Sequence, residues 1–323
     1  MTEHRLKQIV SLYNKLGDEL RVANAEGMKA SSVERALREA KSKGLFTKDC
    51  EPEHIPIKLP KIFIFDLENA PSKAAVWGMW KQNISTNQIT EGWYMLSWSG
   101  KWLFGNETYS DVLTPEEAKE GNDKRIMESL WQFIDDADIL LGHNILGFDI
   151  QKMNTRFVIN GLIPPSPYQA IDTLYSARKQ FSFTSNKLDY LCKQFGVTRK
   201  ADNGGMERWL GCCEGNPEDL IDMEKYNRQD IAATEELYIA MRAYIKTHPN
   251  LGLYMDSEDQ LCYKCGSNQI EWMYDDLGQL KCYVTTMNQY HAYRCKDCTS
   301  VGRSRFSRFN KENKKHLTSP IAR

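Results

Sequence analysis

The sequence has no long apolar run, almost no net charge and no apolar leader at its start. Across 323 residues, no run approaches the roughly 20 apolar residues that a helix needs to cross a bilayer. The opening Met-Thr-Glu-His-Arg-Leu-Lys does not begin a secretory signal. A formal charge of −1 excludes a global field that would attract nucleic acid, so any basic surface has to be local. These absences predict a cytoplasmic protein with no membrane segment.

Changes in composition divide the chain into five segments. Residues 1–45 carry apolar side chains at helical spacing and predict two or three short helices, either a helix-turn-helix-like unit or a helical cap. Residues 46–60 contain three prolines and predict a linker. Residues 61–247 predict the main domain. Residues 258–302 are aromatic and strand-like, and residues 303–323 predict a basic, flexible tail.

The main domain has the pattern of an α/β fold. Ile62–Phe65 is a continuous apolar run, which is typical of a buried central strand. Trp93–Trp98 and Gly100–Phe104 predict the two strands of a hairpin. Helical and strand-like segments then alternate as far as residue 244. This order predicts a mixed sheet flanked by helices.

Acidic residues follow apolar segments at three separate places in this domain. Asp66 and Glu68 come directly after the first predicted strand, and alternation along a strand puts both on one face. Asp149 follows a short strand and a glycine-containing turn. Tyr226 and Asp230 are four residues apart on a predicted helix and therefore share one side of it.

A bound cation is the simplest reason to place these carboxylates beside apolar residues, where a lone charge is costly. Oxygen ligands of this number suit Mg²⁺ or Mn²⁺. Two such ions about 3.5–4 Å apart hold the attacking and leaving oxygens of a phosphodiester in two-metal sites. We therefore predict that Asp66, Glu68, Asp149 and Asp230 hold two Mg²⁺ or Mn²⁺ ions, and that Tyr226 orients the attacking water.

Four further polar residues lie near these motifs in the sequence and are candidates for substrate contact or for supporting the ligands. They are Asn69, His143, Asn144 and Asp172. For His143, a structural hydrogen bond at the turn remains an alternative.

Two Cys-x-x-Cys pairs lie near the end of the chain, separated by 29 residues. They are Cys262 with Cys265 and Cys295 with Cys298. Four thiolates in this arrangement are typical of a structural Zn²⁺ site, and the strand-like runs between them predict a zinc ribbon. A pair of redox dithiols would be expected near a βαβ pattern, which this segment lacks. Cys282 is expected to pack without binding metal.

On these motifs the main domain resembles the DEDD superfamily of 3′–5′ exonucleases, which have an RNase H-like fold. It resembles their tyrosine branch, which includes ribonuclease D and the proofreading domains of family A and B DNA polymerases. The histidine branch would place histidine where this chain has Lys225. Stand-alone exonucleases of phages and bacteria share further stretches, which are Phe65–Pro71, Val76–Ile84, Asp172–Leu174 and Lys187–Leu191. Asn69 departs from the threonine that usually follows the first motif.

The resemblance implies a metal-dependent 3′–5′ exonuclease that acts on single-stranded DNA by a two-metal mechanism. The ribbon aromatics and the basic tail would bind the strand, unless the aromatics only form a small core. Two alternatives stay open: a 3′–5′ exoribonuclease, and a nucleic-acid-binding module with a silent nuclease site. Replication or repair proteins are the expected partners, in the host cytoplasm if the chain is encoded by a phage.

Overall fold

The computed structural model describes residues 2–16, 22–23, 28, 30–45, 59–198, 204–257, 259–309, 312, 314–315 and 317–318. The chain divides into two compact units, residues 1–58 and 59–323. Most of the predicted linker, 46–58, lies outside the described residues, as does much of the predicted tail beyond residue 309.

The first unit contains two described helices, α1 (Glu3–Leu16) and α2 (Ala30–Ser42). Apolar residues recur every three or four positions along both helices, so each helix has one apolar side. These sides pack together with Val22 and Ala23 and form a core of their own. The buried side chains contributed by the two helices are Leu6, Ile9, Val10, Val33, Ala36, Leu37 and Ala40.

The second unit is built around a five-stranded sheet in the order β5-β4-β1-β6-β7. The strands of this unit, in chain order, are β1 (Ile62–Asn69), β2 (Lys73–Ala74), β3 (Ile89–Glu91), β4 (Met95–Trp102), β5 (Thr108–Val112), β6 (Ile139–Gly142), β7 (Gln169–Asp172), β8 (Ile270–Trp272), β9 (Cys282–Val284), β10 (Gln289–Cys295) and β11 (Val301–Arg303). β1 pairs antiparallel with β4 and parallel with β6. Beyond these, β5 pairs antiparallel with β4, and β7 pairs parallel with β6. The sheet is therefore mixed, as the sequence predicts.

Helices cover both faces of this sheet. They are α3 (Pro115–Glu120), α4 (Lys124–Asp135), α5 (Asp149–Ile159), α6 (Thr173–Gln180), α7 (Leu188–Phe195), α8 (Gly205–Cys213) and α9 (Pro217–Met241). Odd-numbered residues of β1, such as Phe63 and Phe65, pack against α4 and α5. Even-numbered residues, such as Ile62 and Ile64, pack on the other face with α6, α7 and the second half of α9. The mixed sheet with helices on its faces confirms the predicted fold class.

Residues 93–104 do not form the predicted hairpin, because β4 continues through Gly100 as a single strand. Gly100 lies opposite Phe65, and a Cβ atom there would come within 2.2 Å of the Phe63 ring. The glycine therefore permits close approach of an aromatic side chain, and it does not mark a turn. The hairpin that forms joins β4 to β5.

A buried ion pair fixes α5 against the antiparallel half of the sheet. Both nitrogens of the Arg156 fork reach Asp123, at 2.5 and 2.7 Å, and Asp123 is fully buried. Asp123 also accepts hydrogen bonds from Asn160 and from the backbone N–H of Met95. With its oxygens satisfied in this way, the pair orients the helix that begins at Asp149.

The cysteine-rich segment lies in the same unit as the large sheet. β10 pairs antiparallel with β8, β9 and β11. β11 extends this small sheet beyond the strands that the sequence predicts. Within the described residues, no helix is long and apolar enough to cross a membrane.

Candidate functional site

Three carboxylates from β1 and α9 meet on one face of the sheet. Oxygen atoms of Asp66, Glu68 and Asp230 all lie within 4.8 Å of one another. Alternation along β1 puts Asp66 and Glu68 on the face that carries Ile62 and Ile64, which is also the face that α9 covers. The apolar half of β1 thus anchors the strand, and its last residues present their acids to the helix.

Asp230 is the most enclosed of the three, with 1% of its surface exposed, whereas Asp66 and Glu68 are half-buried. Three like charges this close repel one another strongly where solvent is partly excluded. A divalent cation removes that repulsion, and the all-oxygen donor set suits a hard ion such as Mg²⁺ or Mn²⁺. The cluster therefore fits the predicted metal chemistry.

Asp149 contacts the same strand, β1, from a different helix, α5. It is the first residue of α5, is 3% exposed, and accepts a hydrogen bond of 3.2 Å from the backbone N–H of Leu67. Leu67 lies between Asp66 and Glu68, beyond the last residue of β1 that pairs with β6. A carboxylate is favourable at a helix N-terminus. Asp149 is thus adjacent to the three clustered acids, but its oxygens are not part of their 4.8 Å group.

Tyr226 lies one turn before Asp230 on α9 and is 4% exposed. Its ring packs edge-on against Trp209 of α8, with ring centroids 6.2 Å apart. α8 is a helix that the sequence analysis does not predict. An edge-to-face aromatic pair is stabilising beyond its buried area, so the contact favours this orientation of the Tyr226 ring.

Asn227 contacts the carboxylate cluster, although no sequence motif identifies it. Its side-chain N–H donates to Asp66 at 2.7 Å, and its own carbonyl oxygen is buried with no partner among the described residues. A charge-assisted hydrogen bond of this kind fixes the orientation of the carboxylate. The only signal in the sequence is its position beside Tyr226, one residue further along a helix that already carries two predicted site residues.

Two serines of β4 complete this side of the cluster. Ser99 lies opposite Asp66 and Ser97 opposite Glu68 in the β1–β4 ladder, so their side chains share the face of the acids. Both hydroxyls are buried and have no hydrogen-bond partner within the described part of the chain. Buried polar groups normally have partners. Their presence here is consistent with a site that accepts a hydrated ion.

The remaining candidates hold the turn between β6 and α5. Asp172 accepts hydrogen bonds from the backbone N–H groups of Asn144 and Leu146, and it also caps α6 through Tyr175. The ring nitrogens of His143 contact Thr173 Oγ1 at 2.9 Å and the Asn186 carbonyl at 3.0 Å. These contacts stabilise the turn that leads into Asp149.

The structure places Asn69 and one open pocket at the edges of the site. Asn69 donates to the carbonyl of Ala70 just past the end of β1. His143 and Asn144 line an open pocket of about 570 Å³, which also contains the exposed cations Arg178 and Lys187. None of the four supporting candidates belongs to the carboxylate cluster itself.

The four predicted cysteines also meet, in a second cluster. The Sγ atoms of Cys262, Cys265, Cys295 and Cys298 lie within 4.8 Å of one another. Cys262 and Cys298 are 3.5 Å apart, and Cys265 and Cys295 are 3.6 Å apart. A disulfide requires about 2.05 Å, whereas a tetrahedron with Zn–S bonds of about 2.3 Å has edges of about 3.8 Å. The distances therefore fit a zinc site and exclude disulfides between these pairs.

Hydrogen bonds from Cys262 and Cys265 lower the pKa of the Cys298 thiol, and the hydrogen bonds of Cys265 to Cys262 and Cys298 raise the pKa of Cys265. Cys282 is outside the cluster, 3.7 Å from Nδ1 of His291. This position agrees with its expected packing role.

The cysteine knuckles pack tightly on the end of α9. Lys264, between the first two cysteines, is 2% exposed and donates to the carbonyl of Ala243 at 2.5 Å. The backbone N–H of Leu251 donates to the carbonyl of Tyr263 at 2.8 Å. Beneath this contact, burial lowers the pKa of His248 to about 4, and the ring bonds to the hydroxyl of Tyr238 at 2.7 Å.

Comparison with known proteins finds a family model that matches part of this chain. The RNase_H_2 family model, described as RNase H superfamily, matches residues 100–242. The match includes Asp149, Tyr226 and Asp230 and begins after Asp66 and Glu68. No curated protein matches the chain.

Among solved structures, the family B DNA polymerase from the hyperthermophilic archaeon Pyrobaculum calidifontis is similar at 15% identity and a TM-score of 0.41. That similarity covers 75% of this chain and 34% of the polymerase chain, so the present chain spans about a third of the polymerase. Residues 100–242 therefore match an RNase H superfamily model, and the mixed sheet flanked by helices is consistent with an RNase H-like fold.

Proposed function

We propose that this protein is a metal-dependent 3′–5′ exonuclease of the DEDD type, tyrosine branch, that hydrolyses single-stranded DNA. The observation that carries the proposal is the convergence of Asp66, Glu68 and Asp230 within 4.8 Å. Asp230 is more than 160 residues from Asp66 and Glu68 in the sequence, and the mutual repulsion of three adjacent carboxylates favours a bound cation.

The proposed metal ligands are Asp66, Glu68 and Asp230, together with Asp149, which begins α5 and accepts a hydrogen bond from Leu67 of β1. When bound, divalent ions supply charge stabilisation to the oxygens of the reacting phosphodiester. The protein contributes a fixed arrangement. Asn227 orients Asp66, and the Arg156–Asp123 pair fixes the helix that begins with Asp149. Such preorganisation avoids reorganising the site during the reaction.

Tyr226 is proposed to orient the attacking water through its phenol. A tyrosine phenol is a poor base at neutral pH, so a hydrogen-bonding role is favoured over proton abstraction. The ring packs against Trp209, and the residue lies one helical turn from Asp230. The products would be nucleoside 5′-monophosphates, as the DEDD resemblance implies.

The cysteine cluster is proposed to hold one structural Zn²⁺ and to form a zinc ribbon that binds the DNA strand. Exposed cationic residues surround the small sheet, and Arg303 lies over the ring of Tyr290 at 3.7 Å. Cations of this kind contact phosphates without regard to sequence. The segment is too small to fold readily on an apolar core alone, which supports a structural role for the ion.

The test uses matched 5′-labelled oligonucleotides of DNA and RNA, incubated with Mg²⁺ or Mn²⁺. We expect a ladder of products that shorten from the 3′ end of the DNA, and no cleavage of circular single-stranded DNA. Asp230→Asn should abolish the ladder. Asp222→Asn, an exposed acid on the same helix that pairs with Lys225, is the matched control and should leave it unchanged.

Each alternative gives a different result in this assay. A preference for the RNA oligonucleotide would identify an exoribonuclease. Cleavage of the circle would identify an endonuclease. Equal products from Asp230→Asn and the unmodified protein would exclude the carboxylate cluster as the active site. Binding without any cleavage would identify a module with a silent site.

A further inference from the structure

The segment between β1 and β4 exposes large apolar side chains to an unusual degree. Residues 70–92 leave the sheet after β1, form the small β2–β3 pair and return at β4. In this hairpin Trp77 is 98% exposed, Met79 87% and Trp80 82%. Tryptophan is normally among the more buried residues, so two exposed tryptophans three positions apart are informative.

The hairpin does not need these side chains for its own stability. Its described contacts are polar: Lys73 pairs with Glu91 at 2.7 Å, and Gln88 bonds to the carbonyl of Ala75 at 2.9 Å. Neither tryptophan packs against another aromatic ring within the described residues. The rings therefore offer their faces to a ligand.

The hairpin continues the sheet at the end where the carboxylates gather. Glu68 pairs with Ser97, Asn69 pairs with Met95, and the N–H of Ala70 donates to Tyr94 at 2.8 Å as the two strands separate. An extended chain spans at most about 3.6 Å per residue, so Lys73 lies within about 18 Å of Glu68 and Trp77 within about 32 Å. A bound strand that ends at the carboxylates can therefore extend to the tryptophans.

The chemistry of this surface favours nucleobases as the ligand. The Lys73–Glu91 pair neutralises itself, which leaves Lys81, next to Trp80, as the remaining charged side chain of the hairpin. Aromatic rings with a neighbouring cation are the usual means of binding an unpaired strand without sequence preference. Val76, Ile84 and Ile89 of the same hairpin are also exposed, at 49%, 51% and 42%, so the surface beside the two indole rings is apolar.

We propose that Trp77 and Trp80 form a stacking platform for unpaired bases of single-stranded DNA whose 3′ end lies at the carboxylate cluster. The platform rests on the proposed exonuclease function and extends it by naming where the strand is held. It would retain the strand between cuts and discriminate against paired DNA, whose bases have no free faces.

The experiment measures binding separately from cleavage. The probe is fluorescein-labelled oligo(dT) with phosphorothioate linkages, titrated with the full chain without added divalent ions, and the readout is fluorescence anisotropy. We expect the double variant Trp77→Ala/Trp80→Ala to bind about tenfold more weakly or worse. Oligo(dT) should also quench the tryptophan fluorescence of the unmodified protein more than that of the double variant.

Phe104→Ala is the matched control. Phe104 is an aromatic residue that is 68% exposed and lies just beyond the opposite end of β4. The Phe104→Ala protein should bind oligo(dT) with unchanged affinity. Equal thermal melting of all three proteins would show that the exposed substitutions leave the fold intact. An affinity of the double variant within about twofold of the unmodified protein would overturn the platform and leave the surface to another partner.

Two further results separate this inference from the proposed function. Loss of affinity in the double variant, together with no cleavage of unmodified oligo(dT) in Mn²⁺, would support the platform and refute the exonuclease. Cleavage that both proteins perform equally on long strands would support the exonuclease and refute the platform. Tighter binding of oligo(rU) than of oligo(dT) would contradict the commitment to DNA.

Discussion

The carboxylate cluster and the thiolate cluster are both groups of side chains that fit a metal ion, but they are assembled in opposite ways. Asp66, Glu68 and Asp230 come from distant parts of the chain and meet because β1 and α9 pack against each other. The four cysteines come from two local turns of a segment with little apolar core, in which the buried cluster consists of the cysteines themselves. The first cluster therefore depends on the packing of distant elements, whereas the second depends on two local turns.

The two clusters also differ in donor chemistry and in access. Carboxylate oxygens bind hard ions that keep water and exchange readily, and Asp66 and Glu68 are half-buried. Thiolates bind zinc tightly, and three of the four cysteines are buried. We therefore expect a brief chelator wash to remove activity that Mn²⁺ restores, while zinc remains bound.

The largest expected effect is the loss of zinc from Cys295→Ser. Structural zinc contributes about 10–16 kcal/mol of apparent binding energy in small zinc domains, so the variant should lose its zinc and become sensitive to protease beyond residue 257. Zinc content and limited proteolysis measure this. Cys282→Ser, a cysteine outside the cluster, is the control and should retain zinc; zinc loss there as well would contradict the assignment of the four ligands.

The next effect belongs to the other cluster. Asp66→Ala should lower the rate of DNA hydrolysis about 10³-fold or more, equivalent to about 4 kcal/mol in the barrier, because it removes a ligand and leaves Asn227 without its acceptor. Zinc content and the urea midpoint should stay as in the unmodified protein. Asp136→Ala, an exposed acid paired with Lys61, should change none of these quantities. A folding defect in Asp66→Ala would mean that the carboxylates stabilise the fold as the cysteines do.

A smaller effect arises where the ribbon packs on the core, at His248. Because burial depresses its pKa from 6.5 to about 4, the unfolded chain binds a proton at a higher pH than the folded chain. Stability should be fully present above pH 6.5 and fall as the pH drops toward 4, by about 2 kcal/mol at pH 5. Urea unfolding at pH 7 and pH 5 measures the difference. His248→Gln cannot titrate and should show a smaller loss; an equal loss in both proteins would assign the pH dependence to other groups.

The smallest effect concerns Asn227. Asn227→Ala should lower hydrolysis about tenfold and raise the Mn²⁺ concentration needed for half-maximal rate, because Asp66 loses a charge-assisted hydrogen bond worth about 1.5 kcal/mol. Gln229→Ala, an exposed amide on the same helix, is the control. A normal Mn²⁺ dependence in Asn227→Ala would show that the residue only fills space beside the carboxylates.

The sequence alone predicted those contacts between site residues that depend on a local pattern. Alternation along β1 placed Asp66 and Glu68 on one face, and the spacing of the cysteine pairs anticipated the thiolate cluster. A four-residue interval placed Tyr226 beside Asp230. In each case the relevant contact depends on the period of a strand, a helix or a turn.

It was insufficient wherever packing between elements decides the outcome. Gly100 suggested a turn, but the Phe63 ring above it requires a glycine within a strand. The contact of Asn227 with Asp66 depends on how α9 is rotated on the sheet, which no local pattern encodes. The sequence does not predict the exposure of Trp77 and Trp80 either, since tryptophans in an apolar run are usually buried in the core.

The contact between Lys264 and Ala243 constrains the length of the chain as well as its composition. Ala243 lies in the 3₁₀ turn Arg242–Tyr244 that continues directly from α9, the helix that carries Asp230. One residue inserted between Asp230 and Ala243 would shift the ribbon by about 1.5 Å and rotate it by about 100° relative to the carboxylates. Substitutions on the outer side of this helix should therefore be tolerated better than insertions or deletions. Only insertions and deletions rotate one cluster relative to the other about the helix axis.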